Sequence, residues 1–288
     1  MKSTSVRVHP SVAAAAVTFF IAVPVLSQQR PLRIDDASLL TTGRTRIEFG
    51  FEFLQGQKYP LSGLEGDLTR IGVAGVHVGV GEYAEFQASG VIRDFLSVSQ
   101  RRPPVIPPDF GGNSTSDFGD LVLATKLKLA GEQGMRPAMA FKFAVQLPNA
   151  SNESGLGTDT MRFFASLLFA KQIWKARLLA NAGIAILQSP VQADSQADLV
   201  TYGLGAIVPL HPSISLVGEI KGRGGAERLG NESQSQARIG LQLRAAGLRW
   251  DVAGVAGLQD TDANSGLVFG LTYEFQAFAK KKGPRTIK

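Results

Sequence analysis

The amino-acid sequence predicts an all-β protein, a transmembrane antiparallel up-and-down β-barrel of about twelve strands. Apolar and polar residues alternate with a period of two along most of the chain. The strand-like runs mostly exceed the five or six residues usual in soluble sheets and reach the ~9–11 residues that a membrane-crossing strand needs. Their number is even, and short turns alternate with long polar loops, as in outer-membrane barrels. Such a barrel has to close, because an open edge in lipid leaves backbone groups unpaired.

The first 27 residues form a predicted secretory signal peptide. Lys2 and Arg7 precede an apolar run over 12–26, and small or short residues occupy the cleavage site. A membrane-anchor helix is the alternative, but Pro24 interrupts the run, which falls short of the ~20 residues that a spanning helix needs. Residues 28–41 are then expected to form an N-terminal periplasmic segment before the barrel.

The net charge of +6 is misleading, because the basic excess lies at the two ends of the chain. Setting aside Lys2, Arg7 and the five basic residues of the C-terminal tail (276–288) leaves 23 basic against 24 acidic residues. A nearly neutral body lacks the basic surface that nucleic-acid binding needs, so no nucleic-acid partner is expected. The absence of cysteine excludes disulfides, thiolate metal sites and a cysteine nucleophile.

The predicted barrel covers residues 42–275 and begins with a strongly two-sided strand. Three phenylalanines of the run 45–53 face one side, whereas Glu48 and Glu52 face the other. The later runs repeat this alternation. In chain order, the predicted strands cover residues 45–53, 68–80, 84–96, 117–129, 137–147, 160–171, 174–187, 199–210, 213–221, 235–245, 248–258 and 266–275.

The connections between these strands support the assignment. Short turns are predicted at 79–83, 131–134, near 172, at 211–212 and at 246–247. Long polar loops are predicted at 55–66, 97–116, 148–157, 188–196, 222–232 and 259–264. The last strand ends on the aromatic Phe275, which resembles the C-terminal recognition signal of outer-membrane barrels, so the barrel-assembly machinery is an expected partner. A soluble secreted β-sandwich is the structural alternative.

The polar face of each strand is predicted to line the lumen, because charge on the lipid face costs about 2–4 kcal/mol near the midplane. Both charge signs are interspersed there. The lumen is therefore either filled by ion pairs or forms a polar-walled channel whose charges select solutes. The predicted lumen residues are Arg46, Glu48, Glu52, Glu85, Gln87, Arg93, Lys126, Lys128, Lys142, Gln146, Arg162, Arg177, Asn181, Glu219, Lys221, Gln236, Arg238, Gln242, Arg244 and Asp251.

Three groups of residues carry a family resemblance. They are Arg30-Pro31-Leu32 with Asp35-Asp36-Ala37, Phe118-Gly119-Asp120 with Lys126, and Gln146-Leu147-Pro148 followed by Gly155-Leu156-Gly157-Thr158-Asp159. In this order they resemble the family of outer-membrane β-barrel transporters of the phenol-degradation MetA-pathway type, over about residues 30–275. The sequence departs from the family pattern at Asp117 and at 149–150. The resemblance implies a barrel for hydrophobic or aromatic small molecules.

We therefore expect a protein of the outer membrane of a two-membrane bacterium, in contact with outer-membrane lipid, through which small hydrophobic or aromatic solutes diffuse passively. A purely structural barrel is the main alternative. A lipid-modifying enzyme is a third class, which needs a nucleophile beside a base. After signal removal only His77 and His211 remain as histidines, and no Gly-x-Ser-x-Gly motif is present, so we expect no enzymatic activity. We also expect no cofactor and no metal site.

Overall fold

The computed structural model describes residues 30–278, so the predicted signal peptide (1–27) and the basic tail beyond residue 278 lie outside the described residues. Within this part, no helix is long and apolar enough to span a membrane. The strands, in chain order, are β1 (Arg44–Tyr59), β2 (Leu64–Val80), β3 (Ala84–Arg101), β4 (Ser114–Asp117), β5 (Leu121–Ala130), β6 (Ala138–Leu147), β7 (Arg162–Ile173), β8 (Ala176–Gln188), β9 (Gln196–His211), β10 (Ile214–Gly225), β11 (Gln234–Ala245), β12 (Leu248–Gly257) and β13 (Ser265–Gln276).

These strands form one closed antiparallel sheet. Strand β1 pairs with both β2 and β13, which joins the two ends of the sheet into a barrel. Strands β4 and β5 share one position in the wall, because β4 pairs with the later half of β3 and β5 with its earlier half. The wall therefore has twelve positions, and the predicted fold class is confirmed.

Side-chain alternation gives the wall an apolar outer face and a largely polar inner face. On β1, Phe51 and Phe53 are exposed, whereas Glu48 and Glu52 are buried. The same contrast continues on β13, where Phe269 is exposed and its neighbour Val268 is buried. Phenylalanine and leucine thus cover the surface that lipid would contact, as membrane insertion requires.

The two ends of the barrel differ in their connections. At one end, here called the turn end, the connections are short, as at 174–175 and 212–213. Ala246 and Gly247 form one of these turns with positive φ angles of 53° and 75°, the backbone shape that two-residue hairpins favour. Most connections at the opposite end, the loop end, are longer. Short turns face the periplasm in outer-membrane barrels.

Two predicted loops are partly strand. The predicted loop at 55–66 is reduced to a turn at 60–63, because β1 and β2 continue nearly to the tip of their hairpin. The predicted loop at 97–116 is shortened in the same way by β3 and β4. Polar composition was a poor guide here, since strands that extend beyond the lipid-facing band carry polar residues on both faces.

The predicted strand at 117–129 is interrupted. Asp117 ends β4 and Leu121 begins β5, and Gly119 retains only a backbone hydrogen bond from its N–H to the carbonyl of Val91 at 2.9 Å. At the same level of the wall, Gly72 has a φ of 68°, and the register between β1 and β2 shifts. A one-residue irregularity exchanges the two faces of a strand.

This exchange of faces places Arg93 outside the lumen. Before the irregularity, Glu85 and Gln87 of β3 are buried inside the barrel, whereas after it the buried residue is Asp94. The Arg93 guanidinium carbon lies 6.0 Å from the ring centroid of Phe95 and 5.2 Å from that of Phe118. Both rings are exposed. The prediction that Arg93 lines the lumen is therefore wrong.

Residues 30–41, hereafter the N-terminal segment, lie inside the barrel. Side chains within this segment, among them Leu32, Ile34 and Asp36, are buried against the inner wall. The expectation of a separate periplasmic segment over 28–41 is wrong for these residues. It failed because the segment has no periodicity of its own and is held by side chains that are far away in the sequence.

The face assignment is tested at Phe51, in the middle of β1. Phe51→Arg places a charge on the apolar outer face and should lower the free energy of unfolding in lipid vesicles by about 2–4 kcal/mol. Phe51→Leu, which keeps the face apolar, is the control. Urea titration of the vesicle-folded protein measures both, and equal stabilities for the two variants would show that position 51 does not contact lipid.

Candidate functional site

The N-terminal segment starts at mid-barrel and descends to the turn end while following the inner wall. At its start, Arg30 donates hydrogen bonds to the carbonyls of Phe269 on β13 (2.8 Å) and Val73 on β2 (3.4 Å). At its end, the Leu40 N–H donates to the Glu85 carboxylate on β3 at 2.7 Å. Between these points it contacts strands on the opposite side of the barrel. The segment therefore crosses the lumen and is bound to the wall along its length.

The Arg30 side chain packs against two glycines of the wall, Gly50 and Gly270. A Cβ atom on Gly50 or Gly270 would lie 2.2 and 2.3 Å from the Arg30 guanidinium, so any other residue there would collide with it. Gln242 donates from its amide to the Arg30 carbonyl at 2.6 Å, and Asp251 lies 3.6 Å from the Arg30 Nε. The two glycines thus have a packing role beyond backbone flexibility.

Glu52 is the centre of the charge network in the lumen. Its carboxylate accepts from Arg33 of the N-terminal segment at 2.7 Å, from Arg70 of β2 at 3.2 Å and from Arg238 of β11 at 3.3 Å. Arg70 is shared with Asp94 at 3.1 Å. A carboxylate that is almost fully buried needs such compensation, because an unpaired buried charge is very unfavourable.

Glu219 binds the backbone of the N-terminal segment. Its carboxylate accepts hydrogen bonds from the N–H groups of Arg33 (2.8 Å) and Ile34 (2.9 Å). Lys221, two residues further along β10, donates to the Arg33 carbonyl at 2.9 Å. Arg238 donates to the carbonyl of Pro31 at 3.2 Å. The barrel wall therefore satisfies backbone groups that would otherwise be paired within a strand.

Two adjacent acids of the segment pair with cations of the opposite wall. Asp35 forms an ion pair with Lys142 of β6 at 2.9 Å. Asp36 accepts from the Arg177 guanidinium of β8, with one contact at 2.6 Å. Lys126 of β5 donates to the carbonyl of Asp36 at 3.2 Å. Lys142, Lys126 and Lys221 hold the pKa of the Asp35 carboxyl below its ordinary value, although burial alone would raise it.

His77 lies among carboxylates near the turn end. Its ring nitrogens are 3.8 Å from Glu48 and 3.6 Å from Glu85. Lys126 also contacts Glu85, at 3.3 Å. The polar contacts found for His77 within the described residues are to acids, which offer no nucleophilic hydroxyl. Nor do residues 30–278 hold any group of three or more metal-binding side chains.

Apolar side chains hold the segment as well. Leu32, Ile34 and Ala37 pack into a buried cluster with inward-facing residues of the wall. Added Cβ atoms on Gly203 and Gly205 of β9 would lie 2.5 and 2.3 Å from Ile34, so these glycines make the space for it. The remaining members of the cluster are Ala138, Ala140, Leu168, Ala170, Leu179, Ile207 and Val217.

The part of the lumen towards the loop end is lined by apolar residues. One buried cluster, the outer leucine cluster, lies on β1–β3, β12 and β13. It consists of Leu54, Leu64, Leu68, Leu96, Val255, Val268 and the loop residue Ala263. A second buried cluster, Ala185, Leu187, Ala197 and Leu199, lies on the facing arc formed by β8 and β9. Towards the loop end the lumen thus holds two apolar clusters beside polar residues such as Arg162, whereas the charge network lies at mid-height.

Most of the predicted lumen residues face the interior. The ones that contact the N-terminal segment are Glu52, Glu85, Lys126, Lys142, Arg177, Glu219, Lys221, Arg238, Gln242 and Asp251. Arg46 pairs with Glu274, and Glu48 lies 4.0 Å from Arg249, so these two contact other residues of the wall. Arg162 faces the lumen near the loop end, where it donates to Thr158 and to the Gly230 carbonyl. Lys128 and Arg244 line cavities at the turn end. Their contact with a solute stays a prediction.

Sequence reasoning missed the residues that the N-terminal segment supplies. Arg33, Asp35 and Asp36 belong to the site, but they lie outside every predicted strand. One signal was present in the sequence: adjacent acids between apolar residues, in a segment preceding a wall rich in inward-facing lysine and arginine. The glycines at 203 and 205 accommodate Ile34, a role that the alternation of side chains does not indicate.

No family model matches the sequence, and no curated protein matches it. Among solved structures, the chain is similar to an outer membrane channel from Pseudomonas putida F1, with a TM-score of 0.61 and 14% identity over 83% of this chain and 98% of that one. It is also similar to the NanC porin (TM-score 0.47, 7% identity, 82% and 100% covered). A third match is the translocator domain of the autotransporter NalP from Neisseria meningitidis (0.46, 12%, 82% and 90%). The first of these likenesses shows that the chain has the fold of an outer-membrane β-barrel.

Glu52→Gln tests the central charge network. A neutral amide cannot balance three arginines, and breaking a buried ion pair in this way costs about 3–5 kcal/mol. We expect the N-terminal segment to be partly displaced. Because the chain has no cysteine, an Ile34→Cys background reports displacement as faster labelling by a water-soluble thiol reagent.

The matched control is Glu65→Gln. Glu65 also pairs with an arginine, at 2.9 Å, but the side chain of that partner, Arg102, is 64% exposed. An exposed pair contributes only about 0–1 kcal/mol, so labelling at position 34 should not change. Equal labelling rates for Glu52→Gln and Glu65→Gln would contradict the central role of Glu52.

The pKa of Asp35 predicts an acid-dependent release of the segment. Because docking lowers this pKa, the ion pair contributes its full stabilisation above the ordinary value of 3.8 and loses it as the pH falls through the lowered value. Single-channel conductance of the wild type should therefore be constant at neutral pH and rise in acid. Asp35→Asn should already have the higher conductance at neutral pH. A constant gap between the two proteins down to strong acid would contradict this assignment.

Proposed function

We propose that the protein is an outer-membrane channel of a two-membrane bacterium, through which small hydrophobic or aromatic solutes diffuse passively. The observation that carries this proposal is the apolar lining of the lumen towards the loop end. The family resemblance of the sequence, to transporters of the phenol-degradation MetA-pathway type, points to the same class of solute. Outer-membrane lipid and the barrel-assembly machinery are the partners that this proposal implies.

The arrangement of the apolar residues favours passage over a purely structural role. The outer leucine cluster and the β8–β9 cluster lie on facing arcs of the wall, so a solute that passes along the lumen would lie between them. Leucine side chains on both sides offer an aromatic ring an environment that is more favourable than water, at roughly 25 cal/mol per Å² of apolar surface removed from water.

The N-terminal segment then limits what passes. It lies directly below the apolar region, where Glu52 and Glu219 bind it to the wall. A solute entering from the loop end meets this segment before it reaches the turn end. The segment therefore favours small solutes and slow passage, in contrast to the open aqueous channel of a general porin. No catalytic step is part of this proposal.

Liposome swelling tests the proposal with two solutes of similar size and low bilayer permeability, an aromatic glucoside and a disaccharide. The channel should admit the glucoside faster. In Leu68→Asn/Leu96→Asn this preference should fall about tenfold, because losing apolar contact worth about 1.4 kcal/mol changes an equilibrium tenfold.

Leu68→Met/Leu96→Met is the matched control, because methionine keeps the volume and apolar character of leucine. It should retain the preference of the wild type. If neither solute enters liposomes that contain the wild-type protein, the result would support a purely structural barrel. Entry of both solutes at equal rates would leave a channel without hydrophobic selectivity.

A further inference from the structure

The turn end of the barrel holds a cavity whose charges are unbalanced. The cavity has a volume of about 340 Å³ and lies between the β11–β12 hairpin and the adjoining ends of β1 and β13. Three of its lining residues are arginines and only one is acidic. The lining residues are Arg44, Arg244, Ala245, Ala246, Gly247, Leu248, Arg249, Thr272 and Glu274.

The single carboxylate of the cavity is already paired. Glu274 accepts from Arg46 Nε and lies beside Arg46 Nη2, both at 2.7 Å. It is therefore largely neutralised by a fourth arginine. The excess positive charge of the lining remains with Arg44 and Arg244, because Arg249 also has the Glu48 carboxylate 4.0 Å from its Nη2.

The three lining arginines have spare donors. Within residues 30–278, the side chains of Arg44 and Arg244 form no hydrogen bond or ion pair. Arg249 is 5% exposed; its Nη2 donates to the Thr272 hydroxyl at 3.1 Å and lies 4.0 Å from Glu48. The Nε of Arg249 is buried and has no hydrogen-bond partner. A buried guanidinium with an unused donor is an unfavourable arrangement that an anion would relieve.

A second cavity at the same end differs in its charges. It has a volume of about 520 Å³, and its lining includes Glu82 and Glu132 as well as Lys128 and Arg177. Arg177 is paired there with Asp36 and Glu132. Acids and bases are matched in this second cavity, so the excess of positive charge is a property of the first cavity and not of the turn end in general.

The arginines of the first cavity face the lumen. They alternate along their strands with outward-facing residues, and Ile47, Leu243 and Trp250 are exposed on the outer face. A lipid headgroup outside the barrel therefore lies on the wrong side of the wall to reach them. The anion has to come from the lumen or from the aqueous space at the turn end.

We propose that this cavity binds the carboxylate of a small amphipathic solute as it leaves the channel. Guanidinium groups bind carboxylates through paired, charge-assisted hydrogen bonds, and Arg44, Arg244 and Arg249 supply them. Ala245, Ala246 and Leu248 offer apolar contact to the body of the solute. The volume falls within the 300–1,000 Å³ usual for small-molecule pockets. This inference rests on the proposed channel function and narrows the solute class to aromatic or short alkyl monocarboxylates.

Calorimetric titration of the full chain in nonionic detergent tests the site, with sodium benzoate, benzyl alcohol and inorganic phosphate as probes. Benzoate should bind the wild type, and benzyl alcohol, which lacks the charge, should bind at least about tenfold more weakly. Arg44→Gln and Arg244→Gln should each weaken benzoate binding about tenfold. Both arginines are partly exposed, so neither substitution endangers folding.

Lys175→Gln is the matched control. Lys175 is exposed in the turn at 174–175, and the substitution removes one positive charge at the same end of the barrel. It should leave benzoate affinity unchanged. Absence of benzoate binding, or equal affinity in all variants, would overturn the site. Phosphate binding as tightly as benzoate would overturn the amphipathic class. Liposome swelling is independent of this titration, so the channel and the anion site can fail separately.

Discussion

The interior of this barrel depends on the ion pairs that the Glu52 carboxylate forms. One carboxylate joins three arginines from the N-terminal segment, β2 and β11. The Glu52 carboxylate is almost fully buried, so its charge has to be compensated by these partners. Since the three arginines come from separate parts of the chain, Glu52 connects the segment to both β2 and β11. The position of the segment follows from this geometry.

The interior resembles the core of a soluble protein in function but not in composition. The wall is built from strands whose apolar side chains point outward, so the interior receives the charged residues and has to pair them. The N-terminal segment supplies Asp35 and Asp36 to inward-facing cations, while Glu219 satisfies its backbone. Towards the loop end, two apolar clusters join the polar residues of the wall.

The sequence predicted the barrel well, because a lipid-facing strand permits few exceptions to alternation. The number of wall positions, the short turns and the inner face of most strands follow from that constraint. Arg93 was assigned to the wrong face because the irregularity near Gly72 and residues 118–120 exchanges inside and outside, and no periodicity reveals it. The candidate site was only partly predictable. Most of its wall residues were found, but Arg70 and Asp94 were not among the predicted lumen residues. Arg33, Asp35 and Asp36 were missed because they lie outside every strand, so periodicity does not indicate which wall residues they contact.

The contact between Arg30 and the carbonyl of Phe269 spans 239 positions of the chain. Residues at the start of the described chain thus find an acceptor on the last strand, which has to be present before this contact forms. Contacts of such long range are slow to form, because closing a large loop costs conformational entropy before the stabilising contact is made. Docking of the segment is therefore a late event in assembly, and it distinguishes a finished barrel from one that still lacks its final strand.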